Sequence, residues 1–327
     1  MEDYNMKRHH AIITFLIGAV FFGLNPLFIN LGYAAGWTLS EIIVVQAIIA
    51  LIVLWTIGIF SLKRYPKAAK KLTIKTVLSL MVAGSFTGLT SILYYASMQY
   101  LPASLAVVLL FQFIWIGVLF DWVFSRKKPS KQTMVTVILT MVGVLFAADV
   151  FNGGLSDITL IGFVLGIGSA FSYTAFIFVS GRVAVDVPAT IRTPVMVTGA
   201  ALLMFIIFPP HLSLNTDVLS SGSIWLYAGG LALCGLILTP LMFAMSTPHI
   251  SAGLATILGA VELPVSVIVA YIGLSEYIAP SRWLGVVLIL VAIAIGEIQG
   301  IWQRFIKRRR YLDWTDNREH AAGNEYK

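Results

Sequence analysis

The chain of 327 residues is 58% hydrophobic and only 11% charged, against about 25% charged residues in soluble domains. This composition and a mean hydropathy of +0.89 exclude a large soluble domain and predict an all-α, polytopic membrane protein. The net charge of +7 is spread over short loops, so we assign it to the membrane surface and expect no nucleic-acid partner. The single cysteine, Cys234, excludes an intramolecular disulfide.

Ten apolar runs follow one another along the chain, bounded by charged, Gly/Pro or polar clusters. Each is close to the roughly 20 residues that one membrane crossing needs, and the first exceeds the apolar core of a signal peptide. We predict transmembrane helices over residues 11–33, 41–61, 74–98, 102–123, 132–149, 159–181, 191–208, 222–245, 251–273 and 282–303.

The basic residues divide unequally between alternate loops. If both termini lie in the cytoplasm, all of the 22 Lys and Arg residues except Arg282 fall on the cytoplasmic side. Because Lys and Arg in short loops mark that side, we predict that residues 1–10 and 304–327 are cytoplasmic and that the protein lies in the cell (plasma) membrane. Lys307–Arg310 could hold anionic lipid head groups, although a stop-transfer anchor followed by a disordered tail explains this cluster more simply.

The ninth run combines a carboxylate with a helix breaker. Glu262 and Pro264 lie near the middle of SAGLATILGAVELPVSVIVAYIGLSE, residues 251–276. A charged Glu at this depth costs at least about 2 kcal/mol to insert, so such residues usually face a protein interior or a water-filled cavity. Pro264 removes the backbone donor that would pair with the carbonyl of Ala260. This pattern predicts a site that binds a ligand or exchanges a proton, and the alternative is a protonated or neighbour-bonded Glu that only fixes helix packing.

The two halves of the chain align with each other. PASLAVVLLFQF, from Pro102, aligns with SAGLATILGAVE, from Ser251, at an offset of 149 residues, and FLIGAVFFG, from Phe15, aligns with FVLGIGSAF, from Phe163. Because five is an odd number, two copies of five helices enter the membrane from opposite sides. An inverted 5+5 repeat of ten transmembrane helices is a transporter architecture, with its site near the midplane interface and broken helices around it.

The segments LYYASMQYLPASLAVVLLFQFIW, SAGLATILGAVELPVSVIVAYIGLSE and PSRWLGVVLILVAIAIGE resemble the EamA-type transporter family of the drug/metabolite transporter (DMT) superfamily. The resemblance covers about residues 11 to 303. It implies one EamA-like five-helix repeat over residues 11–149 and a second over residues 159–303. It also implies an exporter or permease as the function.

The two copies differ at positions that matter in this family. The second copy matches the family pattern with Glu262, Pro264 and then Glu276, whereas the first copy has Trp115 opposite Pro264 and Lys127 opposite Glu276. In addition, a glutamine at position 46 stands where many relatives carry an arginine. We therefore predict that the first copy lacks the helix breaker and that the chemistry is concentrated on the second copy.

Polar and aromatic side chains near two other helix breakers or helix ends are further candidates for substrate binding or coupling. Asn25, beside Pro26, could line a cavity with the freed carbonyl of Phe22, or it could join neighbouring helices. Tyr95 and Gln99 share a face at the end of the third run. An interfacial aromatic belt and a substrate vestibule are both open for this pair.

Two further candidates lie in the interior of the runs. Gln112 and Trp115 share a face of the fourth helix, and the need of a buried amide for a partner favours a cavity there. Tyr173 lies among serine and threonine residues and is either structural or cavity-lining. The patterns Gly84-x-x-x-Gly88 and Gly162-x-x-x-Gly166 predict close helix packing inside the bundle rather than a dimer face.

Motifs of other function classes are missing from the sequence. The five His are scattered without a metal-binding pair, and there is neither a Walker-type loop nor a paired Asp motif. We therefore predict no enzymatic activity, no cofactor and no metal. We favour secondary transport of a small metabolite, such as an amino acid or related amphipathic compound, by alternating access around a midplane cavity. The alternatives are a membrane-embedded enzyme and a receptor or scaffold without transport activity.

Overall fold

A computed structural model describes residues 6–101, 103–126, 128–147, 159–214, 218, 220–273 and 279–295, and every regular element within them is helical. We number ten apolar segments in chain order: α1 Arg8–Ala34, α2 Leu39–Arg64, α3 Ile74–Ser97, α4 103–125, α5 Lys131–Ala147, α6 Leu160–Ser180, α7 Ala189–Ile207, α8 Gly222–His249, α9 252–273 and α10 Pro280–Ile295.

The ten segments lie where the apolar runs predict them, with ends that differ by a few residues. Eight are long and apolar enough to cross a membrane, whereas α5 and α10 are shorter in the described residues. The prediction of an all-helical membrane protein is confirmed, and membrane crossing by α5 and α10 stays a prediction. Several predicted features lie outside the described residues: the ends of those two helices at 148–149 and 296–303, Lys127, Glu276, and the tail 304–327 with its basic cluster.

Hydroxyl side chains begin several of the helices by accepting hydrogen bonds from backbone amides of the first turn. At α2, Thr38 and Glu41 form a reciprocal capping box, in which the Thr38 amide donates to Glu41 Oε2 at 2.8 Å. Single hydroxyl caps at α3, α6 and α9 come from Thr73, Thr159 and Ser251. The polar residues between the apolar runs therefore fix where these helices start.

The helices α3 and α7 cross at backbone contact. A Cβ atom on Gly84 would overlap the carbonyl of Met196, and a Cβ on Gly199 would overlap the carbonyl of Met81. Gly88, one turn further along α3, faces Ala200 in the same way. The predicted role of the small-residue pattern in α3, packing inside the bundle, is confirmed.

The main contacts between helices are preserved when the two copies are exchanged, so that α1–α5 take the places of α6–α10 and the reverse. α3 packs on α6 and α7, and α8 packs on α1 and α2. α4 packs on α6, as α9 packs on α1, while the pairs α2–α7 and α4–α9 map onto themselves. The pair α5–α10 also maps onto itself, because Gly143 of α5 and Gly285 of α10 lie against each other's backbone.

Two helices are broken beside a proline, as the sequence predicts. The first half of α1 ends at Phe22 and the second begins at Asn25, with Pro26 in its first turn. In α9 the first half ends at Gly259 and the second, Glu262–Gly273, contains Pro264 near its start.

α4 is also broken, which corrects the prediction that the first copy lacks the break corresponding to the one beside Pro264. Its two halves are Ala103–Leu110 and Phe113–Ser125. The Gln112 backbone amide donates to the Leu109 carbonyl at 3.2 Å, while its side-chain Nε2 donates to the Val108 carbonyl at 2.9 Å. The side chain thus takes the carbonyl that the backbone amide has left, so no proline is needed.

The breaks of α4 and α9 have the same hydrogen bonds at positions 149 residues apart. The donor–acceptor pairs Gln112–Leu109, Ile114–Phe111 and Ile116–Gln112 correspond to Val261–Leu258, Leu263–Ala260 and Val265–Val261. One expectation is corrected here, because the carbonyl of Ala260 is not left free by Pro264: it accepts the Leu263 amide at 3.3 Å.

Candidate functional site

Glu262 begins the second half of α9 and is 3% exposed. The hydroxyl of Tyr173, on α6, donates a short hydrogen bond to Glu262 Oε1. In the described part of the structure, Oε2 of the same carboxyl has no hydrogen-bond partner. Buried polar atoms are normally paired, so this oxygen marks a place for a proton or for a donor from a ligand.

Aromatic rings hold Tyr173 in position. Its ring is stacked on Phe22 of α1 with centroids 5.1 Å apart, and Phe113 of α4 meets it edge-on at 4.9 Å. Phe243 of α8 lies further away, at 6.5 Å. Because four helices fix the ring, the hydroxyl is kept directed at Glu262.

A small cavity lies beside Glu262, at the point where the broken helices meet. The space that the centre of a water molecule can occupy there is about 20 Å³. This is room for about one water. The breaks approach closely, since a Cβ on Gly23 would lie 2.6 Å from the Glu262 carbonyl oxygen. The residues that line the cavity come from α1, α3, α4 and α9: Phe22, Gly23, Asn25, Pro26, Tyr94, Val107, Leu110, Phe111, Glu262 and Ser266.

Asn25 brings a second set of unpaired polar atoms to this cavity. Its side chain is 1% exposed, and among the described residues neither its amide nitrogen nor its oxygen has a hydrogen-bond partner. It lies against Gly235, where an added Cβ would approach the Asn25 Nδ2 atom to 2.9 Å. A buried amide and a buried carboxyl are therefore available to the same small space.

In α8, the π-helical segment Ala232–Leu238 lies next to Asn25 of α1. The apolar pattern of the sequence does not reveal it, although Thr239 and Pro240 are signals of it: the Thr239 hydroxyl donates to the Cys234 carbonyl, five residues back, at 2.6 Å. π-Helical turns are frequent at functional sites. Gln46, fully buried on α2, is a further amide without a hydrogen-bond partner in the described part, and α2 packs on this segment.

The predicted candidates on α3 separate into two places. Tyr95 is buried, and its carbonyl accepts the hydroxyl of Tyr33 at 3.4 Å. Gln99 is exposed, and its side chain lies close to the Tyr33 hydroxyl. Both therefore contact the second half of α1, whereas their neighbour Tyr94 is the α3 residue that lines the cavity.

Gln112 and Trp115 form a pair on α4. The indole nitrogen of Trp115 donates to Gln112 Oε1 at 2.7 Å, and Trp115 is 40% exposed. Neither residue belongs to the lining of the cavity beside Glu262, where α4 contributes Val107, Leu110 and Phe111. The pair is placed at the break of α4 rather than at the carboxyl.

Membrane-length apolar helices around a buried carboxyl and three helix breaks define a multi-pass membrane protein with an internal polar site. The EamA-like transporter family matches this chain twice, over residues 9–148 and over residues 160–296. The chain belongs to the EamA-like transporter family, which is part of the DMT superfamily.

Two further comparisons found a relative and a similar fold. The chain is 26% identical over 219 residues to the "Uncharacterized transporter sll1319" of Synechocystis sp., a match that covers 66% of this chain and 65% of that protein. A protein of known crystal structure superposes with a TM-score of 0.69 at 12% identity, covering 90% of this chain and 98% of the other. At that identity the structural likeness shows the fold alone.

Proposed function

We propose that the protein is a secondary transporter of a small polar or amphipathic metabolite, such as an amino acid or a related compound. The observation that carries this proposal is the buried carboxyl of Glu262, which has one oxygen held by Tyr173 and one unpaired oxygen in the described structure. Membership of the EamA-like transporter family supports the class of activity.

Glu262, which accepts the Tyr173 hydroxyl, has two states, ionised and protonated. An ionised carboxyl only accepts hydrogen bonds, so it holds the Tyr173 hydroxyl on one oxygen and can receive an amine of a substrate on the other. A protonated carboxyl gains a donor of its own and loses its attraction for a cation. Glu262 can therefore exchange a proton for an amine, or carry the coupling proton, within one transport cycle.

The small volume of the cavity implies movement. Ligand pockets usually measure about 300–1,000 Å³, whereas this cavity holds about one water. A metabolite fits only if the helix halves around the breaks of α1, α4 and α9 move apart. Broken helices at a midplane site are the usual place for such movement in transporters.

The proposed architecture is ten transmembrane helices as an inverted repeat, with copies over residues 11–149 and 159–303. Its support is the pair of matching breaks in α4 and α9, the corresponding helix contacts and the double family match. Alternating access would rock one copy against the other around Glu262. Both termini are proposed to face the cytoplasm, in the plasma membrane.

The other candidates take roles according to their positions. Asn25 would bind a polar group of the substrate beside Glu262, and Pro264 would keep the break of α9 in place. Tyr95 and Gln99, which are both close to Tyr33, would lie at the entrance. Gln112 and Trp115 would affect substrate preference through the break of α4.

Flux through proteoliposomes tests the proposed function. The purified protein is first screened against a metabolite panel for thermal stabilisation, because ligands of the folded state raise its apparent stability. Compounds that stabilise it are then loaded as gradients, and we expect saturable, protein-dependent flux. Chemical conversion of the compound would favour an enzyme, and binding without flux would favour a receptor; either result would contradict transport.

A further inference from the structure

A second cavity, of about 210 Å³, lies where α7 begins and α8 ends. Its wall includes Met6 before α1, Val187 in the loop before α7, Ala189 and Arg192 on the first turns of α7, and His249 at the end of α8. None of these residues lines the cavity beside Glu262. By the predicted topology, this is the cytoplasmic end of the bundle.

Arg192 is the unusual residue of this wall, since its side chain is only 2% exposed. Its Nη1 donates to the carbonyls of Ser180, at 3.2 Å, and Val183, at 3.0 Å, and its Nη2 donates to the carbonyl of Ala244. The guanidinium therefore joins the end of α6 to α8. Its Nε has no hydrogen-bond partner among the described residues.

The charge of Arg192 has no counter-ion in contact with it in the described part of the chain. Asp186, in the loop before α7, attracts it from a distance and forms its ion pair with Lys71 instead, at 2.9 Å. Carbonyl groups at the end of a helix attract a cation through the helix dipole, but they carry no full negative charge that would neutralise it. A buried charge without a partner is costly, so an anion beside Arg192 would be stabilised.

The start of α7 favours an anion in the same cavity. Pro188 precedes the helix without a side-chain cap, and both Pro188 and Ala189 line the cavity. The first backbone amides of a helix have no partner within it, and together with the helix dipole they form a site for phosphate or carboxylate groups. A buried cation and an uncapped helix start thus meet at one cavity.

We propose that this cavity binds an oxyanion, a phosphate or carboxylate group, between the start of α7 and Arg192. A bound oxyanion would neutralise the guanidinium and hold α6, α7 and α8 together at this end of the bundle. The group has two sources that share this chemistry: a free anion of the cytoplasm, or the chain's own acidic residues Glu2 and Asp3, which precede Met6 by a few positions.

Thermal unfolding of the purified full chain, titrated with inorganic phosphate at constant ionic strength, tests the site. We expect a saturable rise in apparent melting temperature for the wild type. Arg192→Gln should abolish it, or weaken half-saturation about tenfold or more, since a hydrogen bond to a charged group contributes about 1.5–3 kcal/mol. Arg182→Gln is the matched control, because Arg182 is 43% exposed and lies outside the cavity wall.

A second variant is needed because Arg192→Gln also removes three hydrogen bonds to carbonyls. Ala189→Leu keeps the arginine and fills the cavity, so a folded protein that no longer responds to phosphate would support the site. The double variant Glu2→Gln, Asp3→Asn separates the two sources. A response that appears only in this double variant assigns the site to the chain's own carboxylates, and one already present in the wild type assigns it to a free anion.

The site is contradicted if neither the wild type nor the double variant responds to phosphate. It is equally contradicted if Ala189→Leu responds as strongly as the wild type. Neither result depends on transport, so failure of this proposal can be distinguished from failure of the function proposed above.

Discussion

At the scale of single residues, the Tyr173 hydroxyl can be removed without changing the aromatic packing around it. In Tyr173→Phe we expect a folded protein in which transport is about tenfold slower, because the hydrogen bond to the charged carboxyl is lost. Flux and its pH profile in proteoliposomes measure this. Tyr271→Phe is the control, since Tyr271 lies on the same helix as Glu262 but is 52% exposed. An unchanged rate in Tyr173→Phe would make the hydrogen bond incidental.

Trp115→Ala and Gln112→Ala address the second residue pair. We expect substrate preference to change more than protein level, because the pair lies at the break of α4 and is joined by a 2.7 Å hydrogen bond. Competition between substrates of the stabilising panel measures the preference. Leu119→Ala, one turn further along α4 and 38% exposed, is the control. Unchanged selectivity in both variants would reduce the pair to helix packing.

At the scale of helices, the sequence predicts the breaks that a proline causes and misses those that a side chain causes. Pro26 and Pro264 predict the breaks of α1 and α9, because a proline has no backbone N–H to donate. The break at Gln112 depends on whether its amide turns back to Val108, which periodicity does not reveal. The π-helical segment of α8 was missed for the same reason: Thr239 and Pro240 follow it directly, but periodicity does not reveal that the Thr239 hydroxyl turns back to the Cys234 carbonyl.

The crossing of α3 and α7 gives a test at the same scale. In Gly199→Ala the new Cβ would overlap the carbonyl of Met81, and since that atom is backbone the helices must separate. Overpacking of this kind costs about 1–3 kcal/mol or more. We expect loss of folded protein, measured by size-exclusion profile and apparent melting temperature. Gly229→Ala is the control, because its Cβ would meet only Ile49, at 3.8 Å.

Equal behaviour of Gly199→Ala and Gly229→Ala would contradict the close crossing of these two helices. The prediction is specific to position, since both substitutions add one methyl group inside an apolar helix and improve helix propensity alike.

At the scale of the whole molecule, hydropathy places the ten helical segments because each run must match the thickness of a bilayer. It does not say which helices touch. Tyr173 and Glu262 were each singled out from the sequence, yet their hydrogen bond joins residues 89 positions apart and becomes visible only in the fold. The distribution of basic residues assigns Arg192 to the cytoplasmic surface, because its position near a helix end resembles that of an ordinary cytoplasmic residue, and its burial becomes visible only in the fold.

The topology is tested as a whole by labelling. We expect a tag at Lys327 to stay unlabelled by an impermeant reagent in intact cells and to react after permeabilisation, because the distribution of basic residues predicts that both termini lie in the cytoplasm. A tag between α9 and α10, on the same side of the membrane as Arg282, should react in intact cells. Labelling of the Lys327 tag from outside would contradict the topology and the even number of spans.

Glu262→Gln measures the central claim most directly, because glutamine keeps the shape and a hydrogen-bond acceptor for Tyr173 but cannot titrate. The variant is compared with the wild type in proteoliposomes, over a pH series, after equal insertion and a monodisperse profile have been confirmed. We predict that transport is lost, or that it no longer depends on pH. Wild-type flux with the wild-type pH profile would show that Glu262 is a structural residue and that the working group lies elsewhere.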